Sequence, residues 1–325
     1  MKAFVTGGTG FVGSHLVDAL LGSEKYSEVR CLVRNDEKWL SGKSITKISG
    51  DLFSLQSISN ALKDVDIIFH VAGLVRSPKW SEFKRANVDA TENLIRIAHK
   101  KGVNNIVILS SLAATGPSNG TPINEKAVYK PVSMYGESKM EMEKIILEIA
   151  NKSDSIKIIR PPAVYGPRET DIYTFFKTFK LGIFPKIGDG NHPKLSMVYI
   201  ADLVEGIMKS AEKIEPGIHT YFMGGENDAY SWNQIGDITT IVTGHKAISI
   251  KLKPTWIKKI STFVEKGAAV FGKYPVLNEE KANEMVHEWV CSSSKAQKEL
   301  NYSPSTSLEE GISRTIRWYK NHNWL

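Results

Sequence analysis

Cysteine is scarce: 325 residues hold two, Cys31 and Cys291. They are too few for a disulfide framework and stand at no metal-ligand or redox spacing. Neither sits beside a candidate histidine, so buried, idle thiols in a reducing compartment are expected, and no metal site. No apolar run reaches the ~18 residues a transmembrane helix needs. The first apolar strand begins at Lys2, so no secretory signal is read and a cytoplasmic location is expected. There is no internal repeat and no low-complexity segment. Charge of one sign is in small excess, 42 basic residues against 35 acidic for a net +7. The Lys and Arg are spread along the chain, which argues against nucleic acid and suits an anionic small substrate or cofactor.

What is present is ordinary globular composition, 42% apolar and 24% charged. At about 100–200 residues per domain the length suggests two domains. Short apolar runs at residues 3–6, 29–33, 45–48, 67–71, 106–110 and 156–159 alternate with helical spacing. One helical face carries Phe11, Val12, Leu16, Ala19 and Leu20, another Leu94, Ile95 and Ala98, and a third Met140, Ile145, Ile146 and Ile149. That rhythm predicts βαβ units, and the lack of polar alternation within the runs predicts strands covered on both faces. The expected class is α/β, a doubly wound parallel sheet with a smaller, interleaved α+β domain. After Arg160, glycine and proline punctuate a stretch expected to be loop-rich to residue 193. A strand-to-helix signal follows at 197–207, a strand at 219–223, and helices at 231–242, 255–270 and 307–319. The domain reading is 1–162 for dinucleotide binding, with 196–223 returning to it, and 163–195 with 224–325 for substrate.

Thr6-Gly7-Gly8-Thr9-Gly10-Phe11-Val12-Gly13 joins the first strand to the first helix. Glycine permits positive φ and leaves no Cβ in the way of a pyrophosphate, and the helix start offers free N–H groups to phosphate. The strand–turn–helix context is what separates this triplet from a plain tight turn. The second strand ends Val33-Arg34, without the carboxylate that would bond a ribose 2′-hydroxyl. An arginine there suits a 2′-phosphate, so NADP(H) is favoured over NAD(H). Asp51-Leu52, after the third strand, is placed to reach the adenine amino group.

Tyr135-Gly136-Glu137-Ser138-Lys139 puts a phenol and an ammonium on one helical face. A free tyrosine has a pKa of about 10, so acting near pH 7 needs a shift of about 3 units, or about 4 kcal/mol. A lysine about 5 Å away supplies roughly 3 kcal/mol at an effective dielectric near 20. Such a tyrosine can pass a proton to or from a substrate oxygen while hydride moves at carbon. Ser110-Ser111 ends the fifth strand, and strand ends in such sheets face the ligand crevice.

In that order, these motifs resemble the extended short-chain dehydrogenase/reductase family, the NAD-dependent epimerase/dehydratase group. The resemblance covers nearly the whole chain, adding His70-Val71-Ala72-Gly73, Asn87-Val88-Asp89-Ala90-Thr91, Arg160-Pro161-Pro162-Ala163-Val164-Tyr165-Gly166-Pro167-Arg168 and Val198-Tyr199-Ile200-Ala201-Asp202. It implies a Rossmann domain with a substrate domain, as a homodimer. It matches Ser111 to the catalytic Ser/Thr, Tyr135 to the acid/base and Lys139 to the ribose-binding lysine. The dinucleotide would lie along Gly7, Gly10, Phe11, Val12, Gly13, Arg34, Asp51, Leu52, Ala72, Gly73, Asn87, Tyr135, Lys139, Pro161 and Val164. Candidates for a small-molecule substrate are Ser111, Ala163, Arg168 and His192.

Sugar dehydratases carry an Asp-Glu pair after the catalytic Ser/Thr, and Leu112-Ala113 stand there. Sugar-nucleotide epimerases favour an Asn where Ala163 stands. The segments Leu32-Val33-Arg34 and Ser110 to Pro117 are closer to the dihydroflavonol-reductase and 3β-hydroxysteroid-dehydrogenase branch. The part from Gly224 on is similar to hopanoid-associated sugar epimerases, and the loop Gly188 to His192 to epimerases. The reading is an oxidoreductase interconverting a secondary alcohol and a ketone. A nucleotide-sugar epimerase with tightly held NAD and a non-catalytic dinucleotide sensor are the alternatives. His70 reads as a packed core residue. Residues 254–272, with Trp256, Ile257, Ile260, Phe263, Val264, Val270 and Phe271 among Lys258, Lys259 and Lys266, read either as a helix packed on its domain or as a weak membrane-surface contact.

Overall fold

The computed structural model describes residues 1–269, 275 and 278–325. Six strands form where the apolar runs lie, their ends shifted by a residue or so. They are β1 (Lys2–Thr6), β2 (Glu28–Val33), β3 (Thr46–Ser49), β4 (Ile67–His70), β5 (Asn105–Leu109) and β6 (Ser155–Arg160). Between them run α1 (Phe11–Leu21), α2 (Leu55–Ala61), α3 (Trp80–Phe83), α4 (Ala90–Lys101) and α5 (Met134–Ile149). The chain continues through β7 (Ala163–Tyr165), α6 (Asp171–Lys180), β8 (Ile183–Ile187), β9 (Met197–Tyr199), α7 (Ile200–Glu212) and β10 (Gly217–Phe222). It ends with α8 (Trp232–Thr243), β11 (Ile248–Leu252), α9 (Pro254–Ala269), α10 (Glu279–Met285), α11 (Ser294–Leu300) and α12 (Leu308–Asn321).

The main sheet has seven strands in the order β10-β6-β5-β4-β1-β2-β3, and every pairing is parallel. This is a doubly wound Rossmann-like sheet. Strand order reverses between β1 and β4, which opens a crevice at their carboxyl ends. Alternate residues of β1 feed opposite layers. Ala3 and Val5 pack with Leu16, Val17 and Leu203 on the α1 and α7 side. Phe4 packs with Ile58, Leu94, Ile95 and Met142 on the α2, α4 and α5 side. Both faces are covered, as the unbroken apolar runs require.

The stretch after Arg160 is more ordered than its punctuation suggests. It contains α6, bounded by Gly166-Pro167 before and Gly182 after, and two short parallel pairs, β7 with β9 and β8 with β11. Aromatic packing makes the helix: Phe176 and Phe179 are buried, and Phe175 lies edge-on to Phe184 of β8 at 5.8 Å. Helix propensity alone is low for so many aromatic residues, so tertiary burial decides.

Candidate active site

Three of the expected residues meet at the carboxyl end of β5. Ser111 follows β5 and opens a 3₁₀ turn, Leu112–Ala114, its Oγ accepting the Ala113 N–H at 3.1 Å. The Leu112 N–H donates to the Pro161 carbonyl at 2.9 Å, which fixes that turn against the end of β6. Helix α5 starts beside it, with Ser133 as N-cap accepting the Gly136 N–H at 3.1 Å. Gly136 is what lets the helix approach: a Cβ there would stand 2.5 Å from the Ala113 carbonyl oxygen. The close approach brings the Tyr135 phenol near the Ser111 side chain, whose influence lowers the phenol's pKa. The Tyr135 ring is backed by the buried Phe83, centroids 6.3 Å apart.

Lys139 lies one helical turn on and is buried, its Nζ donating to the Leu109 carbonyl at 2.9 Å. Burial pulls its pKa down to about 8, against the raising effect of Glu143. In the protein alone the Tyr135 phenol stands above its ordinary value. Burial pushes the phenol up to about 12, Ser111 pulls it back in part, and Glu284 pushes it further up. The Lys139 ammonium is itself desolvated and turned to the Leu109 carbonyl. In the protein alone the phenol therefore holds its proton at neutral pH.

The glycine turn is tightly built. Gly7 has φ +75°, and a Cβ on it would lie 2.4 Å from the Ala72 nitrogen. A Cβ on Gly13 would lie 2.1 Å from the Gly7 carbonyl oxygen. Helix α1 begins at Phe11 and Val12 with no side-chain cap and no acid in its first turn, so its N–H groups face the crevice end unmet by a carboxylate. Gly73, after β4, lies where a Cβ would stand 3.1 Å from Lys139 Nζ and 3.2 Å from Asn87 Oδ1.

Asn87 sits in the π-helical turn Lys84–Asp89 and is buried. Its Oδ1 accepts the Leu74 N–H at 2.7 Å, and its Nδ2 donates to the Leu74 carbonyl at 2.9 Å and to Ser138 Oγ at 2.8 Å. It clamps the loop after β4 to the Tyr135 helix. The remaining expected cofactor residues line the sheet's end. Arg34 is exposed beyond β2, Leu52 is buried, Pro161 is buried and Val164 is half-buried. Asp51 turns Oδ1 to the Phe53 N–H at 2.9 Å, and this bond holds its carboxyl below the usual range. It is thus a turn cap as well as an adenine candidate.

Ala163 is exposed at the start of β7. Arg168 and His192 make no hydrogen bond to Ser111, Tyr135 or Lys139 among the described residues. Arg168 folds back on α1, bonding Ser14 Oγ at 3.1 Å and Asp18 Oδ2 at 2.8 Å beneath the Trp39 ring. His192 is an exposed loop residue with Nδ1 3.1 Å from Glu288. These bonds fasten their loops to partners 150 and 96 residues away, which local spacing cannot show.

Several site residues carry no motif of their own. Glu143 continues the spacing of Tyr135 and Lys139 by one more turn, so the helix period could have found it. It receives Arg160 Nε at 3.0 Å, the Tyr129 hydroxyl at 2.7 Å and the Ser110 hydroxyl. Helix α10 comes from far along the chain to the start of α5. Glu280 accepts the Met134 N–H at 2.6 Å, and Glu284 accepts the Ser133 hydroxyl at 2.6 Å. Nothing in the sequence announces that contact.

His70 is packed core, and it wires the crevice. Thr91 donates its hydroxyl to the Asn87 carbonyl at 2.6 Å, so it accepts from His70 Nε2 at 2.8 Å. His70 Nδ1 is then bare and accepts the Thr6 hydroxyl at 2.7 Å. The ring is neutral, with burial and nearby Lys139 driving its pKa down to about 3. A buried base with a depressed pKa binds fewer protons folded than unfolded. Its contribution is present above the unfolded value of about 6.5 and is lost as pH falls toward about 3, at about 1.4 kcal/mol per unit. Denaturant melts between pH 7 and pH 5 should show that slope, and His70→Gln should flatten it. Equal slopes in both proteins would exclude His70 as the source.

Comparison with known proteins follows the same lines. Residues 3–224 match the model of the NAD dependent epimerase/dehydratase family. An uncharacterised protein of Sinorhizobium fredii, y4nL, is 30% identical, with 97% of this chain and 94% of that one aligned. A ceramide reductase of Caulobacter vibrioides is 26% identical, over 99% of this chain and 95% of that one. Among solved structures, MoeE5 in complex with UDP-glucose and NAD superposes with a TM-score of 0.80 at 26% identity, covering 99% of this chain and 100% of that one.

Proposed function

Because the chain belongs to the NAD-dependent epimerase/dehydratase family of extended short-chain dehydrogenases/reductases, an enzyme family using nicotinamide dinucleotides, we propose that it interconverts a secondary alcohol and a ketone on a small molecule. The observation that carries the reading is the grouping of Ser111, Tyr135 and Lys139 at the crevice end of β5, where Ser111 pulls the Tyr135 pKa down and Lys139 Nζ donates to the Leu109 carbonyl. Tyr135 gives the proton to, or takes it from, the substrate oxygen. Ser111, its Oγ already steadied by the Ala113 N–H, orients that oxygen. Lys139 would hold the ribose hydroxyls of a bound dinucleotide. Leu112, directly after Ser111, is buried and carries no acid, so an elimination would lack its proton-transfer pair there.

The residues present fit a dinucleotide. The glycine turn leaves no room for side chains at Gly7 and Gly13, which keeps the start of α1 open to a pyrophosphate. Gly7, Gly10, Phe11, Val12 and Gly13 would hold the pyrophosphate. Asp51 and Leu52 would border the adenine, and Ala72, Gly73, Asn87, Pro161 and Val164 the nicotinamide half. The cofactor supplies the hydride donor or acceptor. Since the free protein keeps the phenol protonated, Tyr135 is set as a proton donor, which suits carbonyl reduction. The 26% identity to a ceramide reductase supports the reductase side.

We assign NADP(H) as the preferred cofactor from Arg34, which is exposed beyond β2 and pairs with no described group. A charge-assisted bond to a 2′-phosphate is worth about 1.5–3 kcal/mol. Arg34→Ala should therefore raise KM for NADPH by about 10- to 100-fold and leave that for NADH nearly unchanged. Equal effects on both would remove the assignment. The epimerase reading has its own support among the relatives, several of which are named sugar epimerases and one of which is solved with UDP-glucose and NAD. Denaturing the purified protein and weighing the released dinucleotide separates the two. Near-stoichiometric NAD⁺ would support the epimerase, and an empty or NADP(H)-bearing protein the dissociable-cofactor oxidoreductase.

A further inference from the structure

Outside the crevice, two acid-free stretches of chain come together. Residues 172–188 and 238–264 contain no Asp or Glu and carry eight lysines. They pair through β8 and β11, with Ile183 opposite Ile248 and Lys186 opposite Lys251. A single residue, Lys253, separates β11 from α9. The helix has two apolar stripes. The inner one is used: Ile257 is buried with Ile187 and Ala282, and Ser261 is buried on the same side. The outer one, at helical spacing, is Trp256, Ile260, Phe263 and Val264, with Phe263 81% and Trp256 64% exposed. Ile248 and Ile250, two apart on β11, are exposed as well. The packing expected of this helix is therefore met by Ile257 and leaves the larger apolar side chains outward. Val270 and Phe271, read as part of the same segment, lie outside the described residues.

We infer that β11 and the outer face of α9 form a docking surface for an anionic lipid bilayer. A basic amphipathic helix with Trp and Phe on its apolar side lies in the plane of a membrane interface, and lysines flanking it meet anionic headgroups. Lys251, Lys253 and Lys259 are exposed, and among the described residues no carboxylate pairs with them. That leaves their charge for an outside partner. A second copy of the chain is a poorer match, because a two-fold contact would set this lysine-rich face against itself. Nucleic acid leaves the outward Ile248, Ile250, Ile260 and Val264 without a role. Docking here bears on the site through one helix: α9 packs on α10, whose Glu280 and Glu284 hold the start of α5.

The test is co-sedimentation of the full chain with vesicles of phosphatidylcholine alone and of phosphatidylcholine with phosphatidylglycerol, at low and high salt. The expected result is retention by the phosphatidylglycerol vesicles and release by salt. Lys251→Glu and Lys253→Glu should each weaken retention by about fivefold or more, as expected for one cation at an anionic surface. Phe263→Glu, at an exposed position outside the core, should abolish retention while circular dichroism and dinucleotide binding are unchanged. The inference is overturned if the wild type stays in the supernatant with both vesicles, or if Phe263→Glu is retained like the wild type. It is overturned equally if Phe263→Glu turns a dimer into a monomer in the absence of any vesicle retention, which would make a second copy the occupant.

Discussion

Tyr135→Phe is expected to lower turnover by about a thousandfold while dinucleotide affinity changes little. The substitution removes one oxygen. Ser111 keeps its bond from the Ala113 N–H, the ring keeps its packing on Phe83, and Ser133 still caps the helix. The fold has no reason to move, so the loss reports proton transfer alone. The protein by itself holds the phenol at about 12 through burial and Glu284, opposed only by Ser111. Its proton is therefore present for a carbonyl oxygen at neutral pH, and phenylalanine has none to give. Ser111→Ala should lose less, because it removes an orienting hydroxyl and leaves the proton donor. Steady-state rates with NADPH and a series of ketones, beside a titration of dinucleotide binding, check the pair. Tyr135→Phe turnover within tenfold of the wild type would exclude Tyr135 as the acid/base.

Much of this arrangement could be read from spacing because it is local. The glycine turn lies within eight residues between a strand and a helix. Tyr135, Lys139 and Ser111 each sit at an element's end or on one helical face. The parallel sheet followed from six apolar runs, since strands buried on both faces need no long-range information to be recognised. Three things were illegible for one physical reason. The partner of Arg168, Asp18, lies on α1, 150 residues earlier. Helix α10 holds the start of the Tyr135 helix from about 146 residues away, and that contact sets Glu284 beside Tyr135. Helix α6 is made by ring packing against β8, not by its own propensity. The tuning of Tyr135 also rests on a contact that spacing does not show. An i, i+4 separation says that phenol and ammonium share a face, but not that the Leu109 carbonyl claims the ammonium first.

Glu143 makes the second large prediction, and it joins stability to chemistry. The carboxylate is 1% exposed and faces Arg160, 4% exposed, in a buried ion pair shared with Tyr129 and Ser110. Arg160 also lies over the Tyr129 and Phe222 rings, and its Nη1 has no described partner. Glu143→Ala therefore leaves a guanidinium in the core with its charge uncompensated, a change that costs about 3–5 kcal/mol. Glu143→Gln keeps the volume and one acceptor, so its loss in a denaturant melt should be smaller. Glu143 is a positioning residue, acting through Lys139: it raises the lysine's pKa against the stronger effect of burial, which leaves the value near 8. Without the carboxylate that pKa falls further. The ammonium is then lost at lower pH, and the alkaline limb of activity should move toward neutrality in Glu143→Gln. A merely structural glutamate would lower the whole pH–rate profile without displacing the limb. Glu143→Gln with wild-type stability and an unmoved limb would refute both halves of the argument.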